Sequence, residues 1–157
     1  MKARLSVLLL FALTACDPSA EEICQNRLPE LGRSLENALT VLKDWHEDNA
    51  GRSLASTAGP TGMLPPETKL SEFDRRGWQA WAEQRLSETQ VYIDRIPADP
   101  RLRGARTSLN EIANTFVSFH GYASQSRLGH MVRSLEKIRG ESARIEREIC
   151  TGLLTRP

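Results

Sequence analysis

Apolar residues recur along this chain in steps of three and four, and the phase of the recurrence restarts several times. From Glu21 to Asn49 they fall at Ile23, Leu28, Leu31, Leu35, Leu39, Leu42 and Trp45, the spacing of one buried helix face. Pro29 is expected to bend or restart the first turn of this helix, and Asn49 and Gly51 to end it. A second stripe runs through Leu70, Phe73, Trp78, Trp81, Leu86, Ile93 and Ile96. Ser71 caps it, with Asp74 three residues on in a variant of the capping box, and Pro97 closes it. A third joins Leu109, Ile112, Phe116, Phe119 and Ala123, with Thr107 or Ser108 as its cap. The fourth is the most regular: Leu128, Met131, Leu135, Ile138, Ser142, Ile145 and Ile149 alternate three and four in the manner of a heptad seam.

The third and fourth stripes belong to separate helices. Their phase slips by five between Ala123 and Leu128, and Gly121, Ser124, Ser126 and Gly129 weaken the stretch between them. Residues 50–69 hold three glycines and three prolines, a composition that predicts a long loop. Loops of that length are usually functional or disordered. No alternating strand pattern and no internal repeat is visible. The pattern predicts an all-α antiparallel up-down-up-down four-helix bundle over residues 23–151, with the long loop at 50–69.

The N-terminus follows a different pattern. Lys2 and Arg4 precede an apolar run from Leu5 to Leu13 that only Ser6 interrupts. The run is too short to span a bilayer, which needs roughly 20 residues, and matches a secretory signal. Its end, Leu13-Thr14-Ala15-Cys16, resembles the lipobox of bacterial lipoprotein precursors. The resemblance covers these residues alone. It implies cleavage before Cys16, so that 1–15 is the signal peptide and 16–22 a lipidated tether. It also implies a diacylglycerol on the Cys16 thiol and an acyl group on the new amino terminus. Two or more chains hold a protein firmly to a membrane. Asp17 resembles the inner-membrane retention signal of enterobacterial lipoproteins. The expected location is the periplasmic face of the cytoplasmic membrane, with the outer membrane as the alternative.

Cysteine count and charge follow from that reading. The chain has three cysteines. With Cys16 acylated, Cys24 and Cys150 remain, and a pair outside the cytoplasm is usually a disulfide. An up-down bundle of four helices returns Cys150 to the end where Cys24 lies, so topology and disulfide support each other. The net charge of +1 includes Lys2 and Arg4, so the mature chain carries −1. That balance gives no sign of a nucleic-acid binder.

Candidate chemistry is sparse. No haem-attachment motif, P-loop, dinucleotide fingerprint or nucleophile elbow occurs, and a catalytic constellation cannot be filled, so no enzyme is expected. His46, His120 and His130 are the candidate metal ligands, but they stand in no recognised ligand spacing, and no metal or other cofactor is expected. Most aromatics map to one half of the bundle. Trp45, Trp78, Trp81 and Tyr122 are the candidate partner-binding residues there, since Trp and Tyr are enriched at interfaces; a wider core is the competing explanation. At the opposite end Arg95, Arg101, Arg103 and Arg106 form a basic cluster near the tether, where each charge would contribute about 1 kcal/mol against anionic lipid. The expected function is a non-catalytic lipoprotein that binds or scaffolds an envelope protein. The alternatives are a small-ligand or metal binder using the aromatic and histidine-rich end, and an inhibitor or immunity-type lipoprotein.

Overall fold

The computed structural model describes residues 18–56, 70–95 and 99–154, and the lipobox lies outside them. Four long helices make up the described chain. Helix α1 starts at Ala20–Glu22, widens into a π-type turn over Ile23–Arg27 and continues as Leu28–Ser56. Helix α2 is Glu72–Arg95 and α3 is Arg106–Ser124, preceded by a 3₁₀ segment at Pro100–Ala105. Helix α4 spans Leu128–Ile145, widens over Glu146–Cys150 and ends with Thr151–Leu154.

Local chemistry explains these boundaries. Ser19 caps α1, its hydroxyl accepting from the Glu22 N–H at 3.1 Å. The π-type turn precedes Pro29, whose ring would crowd the carbonyl four residues back; the Leu28 N–H reaches instead to Ile23 O. The second wide turn, in α4, is steadied by the Thr151 hydroxyl, which donates to Glu146 O at 3.2 Å. Ser71 caps α2 as expected: its Oγ accepts from the Asp74 N–H at 3.1 Å and its hydroxyl donates to the Asp74 carboxylate.

Three boundaries differ from the pattern. Helix α1 does not stop near Asn49 but runs to Ser56, so the first part of the expected 50–69 loop is helical; residues 57–69 lie outside the described set. An internal Gly costs a helix only about 1 kcal/mol against Ala, too little at Gly51 to end a helix that runs 29 residues from Leu28 to Ser56. Neither Thr107 nor Ser108 caps α3. The chain enters it through the 3₁₀ segment, which Asp99 caps by accepting from the Arg101 N–H at 3.0 Å, and Ser108 is buried. Helix α4 passes the expected limit at 151 and ends at Leu154.

Pairings across the bundle run in reversed order. Cys24 joins Cys150, Glu36 pairs with Arg139 and Lys43 with Glu136, which sets α1 against α4 in opposite directions. Glu111 pairs with Lys137, and Tyr122 stacks near His130, which does the same for α3 and α4. Close backbone approaches join α2 to α3, α3 to α4 and α4 to α1, whereas α1 and α2 meet through large side chains such as Trp45 and Trp78. The core contains the expected faces of α1, α3 and α4: Leu28, Leu35, Leu42, Ile112, Phe116, Phe119, Met131, Leu135 and Ile138 are all fully buried. Helix α2 departs from its expected stripe. Ala82, Thr89, Tyr92 and Ile93 are buried, and Leu70, Trp78, Trp81 and Leu86 are partly so. Phe73 is 85% exposed, and Ile96 lies outside the described residues.

Candidate functional site

The aromatic end is built from α1 around Trp45, the first half of α2, the second half of α3 and the start of α4. Trp78 is its hub. Its ring meets Trp45 edge-on at 6.4 Å, Trp81 at 5.8 Å and Phe119 at 6.0 Å. Trp81 closes on Phe116 at 5.7 Å and Phe119 at 5.6 Å. Tilted and edge-to-face contacts of this kind stabilise beyond the area they bury. Phe116 and Phe119 are fully buried, while the three tryptophans are half-buried and pack against the core. Trp45 and Trp78 thus bridge α1 and α2, whose backbones stand apart, while Trp81 turns to the phenylalanines of α3. Tyr122 lies apart from them, 4.8 Å from the His130 ring.

The histidines occupy different faces. His120 Nε2 donates to Glu83 Oε1 at 3.1 Å and lies 3.3 Å from the Gln79 amide nitrogen, between α3 and α2. The His46 ring packs over Gly129, where a Cβ would stand 3.5 Å from its Cε1. His130 faces Tyr122 beside Arg127 and Arg133; partial desolvation, and then those two cations, hold its imidazole below the usual histidine range. Among the described residues no group of three or more His, Cys, Asp or Glu side chains could hold a metal ion.

The opposite end is covalently closed. Cys24 and Cys150, both buried, form a disulfide across 126 residues of chain, with 5.4 Å between their Cα atoms. The expected basic cluster is divided. Arg101 sits between two carboxylates, 2.7 Å from Glu21 and 2.7 Å from Asp99. Its hydrogen bonds hold Asp99 below the usual carboxylate range; Glu21 is held low as well, first by a backbone hydrogen bond and then by Arg101. Its charge is thus satisfied within the fold and serves to pin the α2–α3 connector to the start of α1. Arg103 and Arg106 are exposed, and Arg95 is half-buried. A cavity of about 610 Å³ opens beside the disulfide, lined by Glu21, Gln25, Arg101, Glu148, Ile149 and Leu153.

Sequence reasoning missed the outward face of α2, where Phe73 stands free of the core. The signal was present in the spacing of uncharged residues along that helix, hidden behind the stronger aromatic stripe. No helix among the described residues is long and apolar enough to cross a membrane. Comparison with protein-family models, with curated proteins and with solved structures returned no match.

Proposed function

We propose that this chain is a lipid-anchored, extracytoplasmic lipoprotein whose helical bundle binds a protein partner and performs no chemistry of its own. The observation that carries the partner-binding part is Phe73, an aromatic side chain 85% exposed on a helix that is otherwise ordered and capped. An isolated exposed apolar residue needs no explanation, but an aromatic ring left this open on a helix face has the character of an interface anchor. The anchoring part is supported by the lipobox and by the Cys24–Cys150 disulfide, which fits an oxidising compartment. The start of α1 at Ala20 supports a short tether: only a few residues would separate lipid from bundle. An inhibitor or immunity-type lipoprotein is a narrower form of the same reading.

Mass spectrometry of the protein from its native membranes tests the anchor. The expected N-terminal peptide begins at Cys16 and carries diacylglycerol and acyl mass. A peptide that begins at Met1, or an unmodified Cys16, overturns the anchored reading. The Cys16→Ser variant is expected to lose the lipid while keeping the Cys24–Cys150 bridge.

A further inference from the structure

The gap between α1 and α2 is bridged by Trp45 and Trp78 at the aromatic end. Towards the disulfide it holds a cavity of about 220 Å³, lined by Arg27 and Glu30 from α1 and by Arg85, Glu88 and Tyr92 from α2. Pro18 and Val91 are its apolar walls. Tyr92 is the buried member of the set, only 6% exposed, and its hydroxyl makes no hydrogen bond to any described residue. A buried tyrosine hydroxyl usually finds a partner, and one left without costs stability. Burial first, then Glu88 and Glu30, hold this phenol above the usual tyrosine range, while Arg27 and Arg85 pull the other way. Four charged side chains thus act on one buried hydroxyl.

The pairing within the cavity decides what it can hold. Both oxygens of Glu88 are engaged, one by Arg85 at 2.7 Å and one by Gln84 at 3.1 Å. Arg27 holds Glu22 at 3.1 Å, outside the cavity, but reaches Glu30 only at 3.9 Å. Arg85 has a side chain only 15% exposed, and its Nε is buried with no acceptor among the described residues. The capacity left over is therefore the Tyr92 hydroxyl, the spare N–H groups of the two guanidiniums and the loosely held Glu30 carboxylate. Two cations and two carboxylates give the lining no net charge. A lone anion would meet Glu30 and Glu88, a lone cation would meet two guanidiniums, and like-charge contacts of that kind select against a ligand. An uncharged apolar ligand would strand all of these groups. A molecule that carries both signs satisfies each. The volume sets its size, since it lies below the roughly 300–1,000 Å³ of ordinary small-molecule sites. We infer that this cavity binds a small zwitterion of the free α-amino acid class, its carboxylate taken by Tyr92, Arg85 and Arg27 and its ammonium by Glu30. The inference is independent of the anchor and of partner binding.

The test titrates the full chain, isotope-labelled on its tyrosine rings for NMR, with glycine, L-valine and L-leucine. Two cut-down forms of valine follow: isobutylamine, which lacks the carboxylate, and isovalerate, which lacks the ammonium. The chain has two tyrosines, so Tyr122 at the aromatic end is an internal control. The Tyr92 signal is expected to shift saturably with at least one amino acid while that of Tyr122 stays in place. Both cut-down forms are expected to bind at least about tenfold more weakly than the tightest amino acid, since each leaves charged groups unmatched. Tyr92→Phe removes only a hydroxyl without a partner in the fold. It is expected to weaken amino-acid binding about tenfold, with helix content and disulfide unchanged and a melting temperature no lower than wild type. Glu30→Gln is expected to weaken the amino acid to a similar degree and to leave isovalerate bound no more weakly than before. The absence of a saturable shift with all three amino acids overturns the inference, as from a cavity that holds water alone or the chain's own N-terminal residues. So do equal shifts at both tyrosines, cut-down forms that bind as tightly as the amino acids, or an affinity that Tyr92→Phe and Glu30→Gln leave unchanged.

Discussion

Ser126 is the one non-glycine residue among those described with a positive φ, at 57°. It ends α3. The Arg127 N–H reaches back to Tyr122 O at 3.0 Å and the Ser126 N–H to Ala123 O at 3.1 Å, the paired bonds of a Schellman closure with serine where glycine is usual. A left-handed backbone costs an L-residue roughly 1–2 kcal/mol, part of which glycine would return as unfolded-state entropy. Ser126→Gly is expected to raise unfolding stability by about 0.5–1 kcal/mol, read from urea denaturation; a loss would show that the serine makes a contact worth more than the strain. His130 sets a second expectation at this scale. Its folded pKa lies below the ordinary 6.5, so the unfolded chain takes up the proton first. Its contribution to stability is present above about pH 6.5 and is lost as the pH falls through the folded value. The melting temperature should therefore decline more steeply below pH 6.5 in the wild type than in His130→Gln, and identical profiles would remove the assignment.

Helix α2 shows at the element scale which parts of the fold pattern reasoning reaches. In α1, α3 and α4 the buried side chains are large and aliphatic or aromatic, so apolar spacing found Leu35, Phe116 and Ile138 directly. In α2 the deepest positions are Ala82 and Thr89, which register weakly as apolar, while Phe73 on the opposite face registers strongly. Counting apolar residues drew both faces into one stripe. The helix also received its correct start, because Ser71 and Asp74 cap it by local chemistry that needs no tertiary context. The site was legible to the same degree. The tryptophans were found by type, but their interlocking with Phe116 and Phe119 depends on α1 and α2 standing apart, which no spacing encodes. Arg101 read as surface charge because its partners Glu21 and Asp99 come from different elements. A pair of substitutions checks the two faces of this layer. Phe73→Ser is expected to leave stability within about 0.5 kcal/mol of wild type, as for an exposed site. Phe119→Ala removes a fully buried ring from the tryptophan cluster and should cost about 3–5 kcal/mol. Equal costs would mean that Phe73 packs against the body of the protein.

For the whole molecule, the order of contacts makes α1 dependent on one neighbour. Backbone packing links α2, α3 and α4 in sequence and adds α1 through α4; the tryptophan contact then bridges α1 to α2 at the aromatic end. At the other end the disulfide takes over that role, tying the π-type turn of α1 to the matching wide turn of α4. A cross-link spanning 126 residues restricts the unfolded chain strongly, worth about 4–5 kcal/mol when unfolded-chain entropy alone is counted. Its loss should be felt unevenly. In a Cys24→Ser, Cys150→Ser double variant, amide exchange is expected to accelerate most along the first turns of α1 and the last of α4. The three-helix seam of α2, α3 and the body of α4 should keep more of its protection, since local opening follows contact density. Global stability in urea should fall by an amount near that entropic figure. Uniform acceleration over all four helices would show instead that the bundle opens as one unit and that α1 is as firmly seated as the rest.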